Sequence, residues 1–378
     1  MNIDIFKVEE WMNEYEKYSK YDLGNTTVNT MSLEELFAVT EENKDEFFKK
    51  LCSLKQGYGH IKGNPELKKS IAKLYKSVEE GHILTTIGAA GANHLVFYSL
   101  VEPSDRVISL IPTYQQLYSI PASFCSDTVV LKLKKENGFL PDLEELKDLI
   151  TPNTKLICIN NPNNPTGALI PQNMLEQIAQ IADRAGAYIL CDEVYRGLSP
   201  DEAKIPSMAD IYEKGISVCS MSKTFSLAGL RLGWIACRDE EALESFTRHR
   251  EYNMISCSVT DELLAALALK NTDKIIKRNC DAVRQSLEVL DEWVCTQKHF
   301  SYVKPQAGTT AMVYYDFDMP SEILCDKLAK EKGVFLTPGC CFEEEKCFRV
   351  GFCKSPDVLQ QGLDKISEFV KENISMKE

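Results

Sequence analysis

A chain of 378 residues, 44% hydrophobic and 26% charged, has the composition of a folded globular protein, long enough for a large core and a second, smaller unit. Its net charge of −13 disfavours nucleic acid and anionic membrane as partners, since an acidic surface repels both, although a local basic patch can still take an anionic small molecule. No apolar run approaches the about 20 residues that a membrane span needs, and the opening stretch MNIDIFKVEEWMNEYEKY lacks the apolar core of a signal peptide, so the expected location is cytoplasmic.

Pro65 opens a helix expected over 65–76, with Leu67, Ile71 and Leu74 at helical spacing. A strand is expected over 83–87, then the small residues Gly88-Ala89-Ala90-Gly91, then a helix over 92–100. Short buried strands follow at 106–110 and 155–160, a helix at 171–184, and strands at 187–191 and 217–220. This alternation indicates an α/β fold with a mostly parallel central sheet flanked by helices on both faces. The last stretch differs: a long helical segment, strands over 310–315 and 346–352, and a terminal helix. The expected division is a large domain over 46–284 and a smaller α/β domain built from 285–378 together with 1–45.

The fourteen cysteines are scattered and form no C-x-x-C pair. Cys158, Cys191, Cys219 and Cys237 sit in apolar strand-like runs, where a thiol behaves as a small hydrophobe. Cys340, Cys341, Cys347 and Cys353 fit no common zinc spacing, so no metal is expected.

In an open parallel sheet, ligands gather at the carboxyl ends of the strands. Four segments fall there. Gly88-Ala89-Ala90-Gly91 lets backbone N–H groups approach an anion at a helix N-terminus, or simply lets helix and strand pack closely. NNPNNPTG at 160–167 is a stiff loop that fixes Asn164, or a turn into the next helix. Asp192-Glu193-Val194-Tyr195 puts a carboxylate at a strand end, where it can also cap a helix. Ser220-Met221-Ser222-Lys223, with Arg231 eight residues on, sets one lysine among hydroxyls and a guanidinium. A lysine can form a Schiff base with an aldehyde cofactor, and the neighbours can hold that cofactor's phosphate. A dinucleotide fold is the competing phosphate-binding reading, but Gly57, Gly59 and Gly63 are spaced too widely for its fingerprint and follow no clear strand.

Taken together, NPNNPTG, DEVYRGL and SMSKTFSLAGLRLGW resemble, in order and spacing, the motifs of the class I/II aminotransferases, fold-type-I enzymes that use pyridoxal 5'-phosphate. The resemblance covers nearly the whole chain and implies an aspartate-aminotransferase-like fold. It also implies roles. Lys223 would be the Schiff-base lysine and proton shuttle, Asp192 the partner of the pyridine nitrogen, and Tyr195 and Asn164 donors to the ring oxygen. Ser220, Ser222, Arg231 and the backbone at Gly88, Ala89 and Ala90 would clamp the phosphate, and Tyr114 would stack on the ring. Arg349 would grip the substrate carboxylate, with Asn164 and the segment at Gly24 beside the substrate. Tyr58 would reach the neighbouring subunit's phosphate, which implies a homodimer with shared active sites acting on an amino acid and a 2-oxo acid.

Two departures stand out. Ala89, Ala90 and Gly91 replace the polar residue that many relatives carry after the phosphate glycine, which leaves phosphate contacts there to the backbone. The segment 22–28 is somewhat more like the branch containing amino-acid-cyclising enzymes. The expected reaction is amino-group exchange; a C–S β-lyase or an amino-acid cyclase of the same fold is the alternative. A non-catalytic sensory role finds no support in an acidic chain that keeps Lys223, Asp192 and Arg349.

Overall fold

A computed structural model describes residues 3–201 and 205–374. Its main sheet has seven strands: β1 (Ile83–Ile87), β2 (Arg106–Ile111), β3 (Asp127–Lys132), β4 (Thr154–Asn160), β5 (Tyr188–Asp192), β6 (Gly215–Ser220) and β7 (Leu232–Cys237). They lie side by side in the order β1-β7-β6-β5-β4-β2-β3. Strands β2 to β6 run parallel to their neighbours in this group, while β7 is antiparallel to both β6 and β1. The central strands are buried on both faces, which is why they read as continuous apolar runs rather than as alternation. Helix Gln172–Ala185 lays Leu175, Ile178 and Ala182 on the sheet and ends at Gly186, whose left-handed φ of 68° closes the helix.

Strand β7 contains the apolar run at Cys237 that reads as strand-like, but no turn residue marks its start at Leu232. The chain turns instead on Arg231 itself, which takes φ 48°, and on the short 3-10 turn Ala228–Leu230 before it. Gly233 is required here: a Cβ would lie 2.5 Å from the Gly88 carbonyl carbon and 2.8 Å from the Ala89 nitrogen. Its absence lets the next helix start directly across β7. That helix is Gly88–Leu100, so the small residues form its first turn rather than a separate loop before position 92. The helix expected over 65–76 stops at Ala72. The N–H groups of Lys76 and Ser77 donate instead to Asp210 Oδ1 (2.8 and 2.7 Å).

A second, antiparallel sheet holds β8 (Phe300–Tyr302), β9 (Thr310–Tyr315), β10 (Thr337–Pro338) and β11 (Cys347–Gly351), in the order β10-β11-β9-β8. The N-terminal segment joins this side, with Tyr21–Asp22 pairing parallel to Val334–Phe335. Trp11, Leu23 and Val28 share one apolar cluster with Leu290, Phe335, Phe348, Leu363 and Phe369. Helix Thr272–Thr296 runs unbroken through position 285, packing Ile275 into a main-sheet cluster and Leu287 and Leu290 into the second one. Most of the fourteen cysteines are buried. No helix among the described residues is long and apolar enough to cross a membrane.

Candidate active site

Three adjacent strands end in polar residues at one edge of the main sheet: Asn160 on β4, Asp192 on β5 and Ser220 on β6. Register puts Asn160 beside Asp192. A cavity of about 330 Å³ opens above them. It brings together Gly24, Ala89, Ala90, Tyr114, Asn164, Asp192, Tyr195, Ser220, Ser222, Lys223, Arg231 and Arg349. Gly88 stands behind this lining, under Arg231. Tyr58 is elsewhere: it is 82% exposed and borders a separate groove with Val259 and Glu262.

Asp192 is only 3% exposed. Burial pushes its carboxyl up to about 6, opposed by Asn93 Nδ2 donating to Oδ2 at 3.0 Å and the Val194 N–H donating to Oδ1 at 3.2 Å. Its neighbour Glu193 points the other way. Glu193 accepts from Ser207 Oγ (3.0 Å), the Met208 N–H (2.7 Å) and Ser217 Oγ (2.7 Å), and pairs with Arg196 at 2.9 Å. Of the two carboxylates in the Asp-Glu pair, one therefore faces the cavity and the other ties the structure beneath it.

Lys223 Nζ donates to Thr26 Oγ1 at 2.7 Å. Burial, reinforced by the positive charge of Arg349, lowers its ammonium from 10.5 to about 8. The shift enlarges the neutral fraction near pH 7, the form an amine needs to act as nucleophile or base. Burial raises the Tyr195 phenol, against the pull of the Thr26 hydroxyl and Arg349.

At the opposite corner, Gly88 takes φ 66° at the start of its helix, and a Cβ there would sit 3.0 Å from Arg231 Nη2. The glycine thus lets the guanidinium close over a helix N-terminus whose first side chains are the small Ala89 and Ala90. Ser220 and Ser222 line the same corner, the Ser222 N–H donating to Ser220 Oγ at 3.3 Å. Arg231 holds a left-handed backbone that costs an L-residue about 1 kcal/mol. Strain of this kind gathers at ligand-holding turns. Backbone N–H groups, a guanidinium and two hydroxyls at one corner of the cavity are groups that could hold a phosphate-type anion.

Arg349, on β11, is 2% exposed. Nη1 donates to Asn164 Oδ1 (3.1 Å), and Nη2 to the Gly24 carbonyl (2.9 Å) and Thr337 Oγ1 (3.1 Å). Its Nε is buried with no hydrogen-bond partner among the described residues, a donor suited to a ligand carboxylate. The segment that supplies Gly24 is tightly seated: a Cβ on Gly24 would lie 2.5 Å from the Phe335 ring, and one on Gly351 would lie 1.8 Å from the Asn25 carbonyl. Asn164 is held through its N–H, which donates to Asn160 Oδ1 (2.6 Å), while Asn160 Nδ2 donates to the Asp192 carbonyl (2.9 Å).

Sequence reasoning missed three contributors. Asn93 sits fully buried in helix Gly88–Leu100; a lone amide among apolar helix positions was the available signal. Thr26 carries the Lys223 contact from the segment 22–28, whose likeness to cyclising enzymes gives this hydroxyl no role. Helix Lys7–Tyr15, which walls the cavity with Val8, Glu9 and Met12, lies more than 200 positions from Lys223 in the sequence, and only the folded chain brings it there.

The family described as aminotransferase class I and II matches residues 22–366. The chain belongs to this family. A crystal structure of a PLP-dependent aminotransferase from Streptococcus suis is 45% identical, covers 98% of this chain and 99% of its own, and superposes with a TM-score of 0.95. Capreomycidine synthase from Streptomyces vinaceus is 27% identical over 369 residues, 96% of this chain and 92% of that protein. The aspartate/prephenate aminotransferase of Thermus thermophilus is 26% identical, covering 88% of each chain. The α/β architecture is that of the aspartate-aminotransferase-like enzymes. Pyridoxal 5'-phosphate is the family's cofactor, and the donor set at Gly88, Ser220, Ser222 and Arg231 suits its phosphate.

Proposed function

We propose that this aminotransferase-family enzyme exchanges an amino group between an α-amino acid and a 2-oxo acid. What supports this best is one cavity holding a lysine amine lowered to about 8, a buried carboxylate and a buried arginine with a free donor. When bound, the cofactor supplies an aldehyde carbon and a ring that accepts electrons from the substrate's α-carbon. Asp192 would hold the proton on the ring nitrogen, with Asn93 keeping the carboxylate ionised. Lys223 would carry the cofactor and, once displaced, move a proton at the α-carbon, with Thr26 receiving its amine. Tyr195 and Asn164 would hydrogen-bond the ring oxygen, and Tyr114 would cover the ring face. Arg231, Ser220, Ser222 and the backbone at Gly88, Ala89 and Ala90 would hold the phosphate. Arg349 would orient the substrate by its α-carboxylate.

The same proposal takes 46–284 as the cofactor-binding domain and 1–45 with 285–378 as the smaller one. A homodimer with shared active sites belongs to it. Tyr58 (82% exposed), Ile61 (48%), Tyr252 (89%) and Ile255 (49%) stand out as large exposed hydrophobics. Arg250 ties the two segments together, donating to the Ile61 and Ile255 carbonyls. A second copy covering this face would bring Tyr58 toward the partner's site.

A cyclase is the second reading, favoured by the full-length likeness to capreomycidine synthase. The deciding experiment is an absorbance titration of the cofactor-loaded enzyme with a panel of amino acids and no acceptor. Conversion to the pyridoxamine form with one equivalent of oxo acid is the expected result. Product formed over many turnovers without that conversion, whether a ring or ammonia with an oxo acid, replaces exchange with cyclisation or lyase chemistry. Arg349→Ala should raise the apparent KM for amino and oxo acids roughly a hundredfold, the worth of a charge-assisted double hydrogen bond. Amines lacking the carboxylate should react unchanged. An unaltered KM for amino acids removes Arg349 from carboxylate binding.

A further inference from the structure

We infer that the substrate's side chain carries a positive charge, an ammonium or a guanidinium, and that Glu9 selects it. Five cavity-lining side chains carry a full charge: Glu9, Asp192, Lys223, Arg231 and Arg349. On the function proposed above, on which this inference rests, four of them serve the cofactor and the α-carboxylate. Glu9 is the one left over. Among the described residues it makes no hydrogen bond or ion pair, yet its charge is felt across the cavity, favouring the charged forms of Lys223 and Arg349 and raising the Tyr114 phenol.

A surface glutamate near a helix N-terminus has an ordinary explanation in the helix dipole. Glu10 meets that need from outside the cavity, in the same first turn. Glu9 is the acid on the cavity wall, and that wall is fixed. The Lys7 N–H donates to Gln115 Oε1 (2.9 Å), Gln115 Nε2 donates to the Ile5 carbonyl (2.8 Å), and Trp11 Nε1 donates to the Leu336 carbonyl (2.8 Å). The Phe6 and Tyr114 rings meet at 5.2 Å beside it. Glu9 and the Tyr114 ring line the same cavity, and a carboxylate and an aromatic ring there attract a cation by charge and by ring quadrupole. The same carboxylate repels a side-chain carboxylate, so discrimination against acidic substrates is built in rather than incidental.

The test reads binding, not turnover. Calorimetric titration of the cofactor-loaded enzyme would use three carboxylates without an α-amino group: 5-guanidinopentanoate, heptanoate and heptanedioate. The guanidino acid should bind roughly threefold more tightly than heptanoate, the worth of an exposed ion pair, with the diacid weakest. Glu9→Gln should erase that preference while leaving heptanoate affinity unchanged, and Glu9→Lys should move it to the diacid. Equal binding of the guanidino acid and heptanoate, or a preference that survives Glu9→Gln, overturns the inference. A cation preference without oxo-acid formation from any amino acid would instead leave Glu9 in place and sink amino-group exchange.

Discussion

Lys223→Ala will fold, bind the cofactor without a borohydride-reducible linkage, and turn over at least about 10⁴-fold more slowly, because one side chain supplies both the covalent attachment and the proton carrier. The fold should survive because Lys223 makes a single side-chain hydrogen bond, to Thr26, at the edge of the cavity. Truncation there removes a partly desolvated amine rather than a packed core group. Two readings separate the roles. Borohydride reduction followed by peptide mapping reports the attachment. Rescue of turnover by added small primary amines reports the proton transfer, since a free amine can occupy the space the side chain vacates. A reducible linkage persisting at another lysine removes Lys223 from the centre of the site. Thr26→Val offers a finer probe, as it keeps shape and removes only the hydroxyl that receives the amine.

The parts of this site that were legible in the sequence lie within short, stiff segments. Asp192 ends a strand that reads as an apolar run, and Asn164 and Lys223 follow two others by four and three residues, close enough for the strand's end to fix where they lie. The small-residue corner at Gly88 was legible in the sequence, although the helix begins there rather than at position 92. The start of strand β7 was less legible than its apolar run at Cys237, because its direction is set by one left-handed arginine, a backbone choice that glycine usually signals. Asn93 and Thr26 escaped for a different reason. Each acts through one hydrogen bond to a residue 99 or 197 positions away, and no local periodicity records such a partnership. Tyr58 shows the same limit between chains. Its place in the motif was plain, but a single chain leaves it exposed, with its proposed partner on another copy.

Asp192→Asn should lower kcat/KM by about 10³-fold, comparable to the loss of a preorganised electrostatic partner elsewhere. The amide fills the same volume and its oxygen can still accept from the Val194 N–H, while its Nδ2 meets Asn93 only if the Asn93 amide turns to present Oδ1, so the loss tests the charge together with that one contact. Burial has already brought the carboxyl up to about 6, so the balance between its acid and its anion falls just below neutral pH. Asn93 is what tilts that balance toward the anion. Its Nδ2 donates to Oδ2, a bond that favours the charged form and holds the carboxyl lower than burial alone would. Removing the donor therefore raises the carboxyl, and the sign of the effect follows: activity that needs the anion is lost at a higher pH. Asn93→Ala should shift the acidic limb of the kcat/KM profile upward by about one unit, with the alkaline plateau reduced much less than in Asp192→Asn. A profile lowered equally at every pH would make Asn93 a packing residue only. Near-wild-type activity in Asp192→Asn would end the role of its charge altogether.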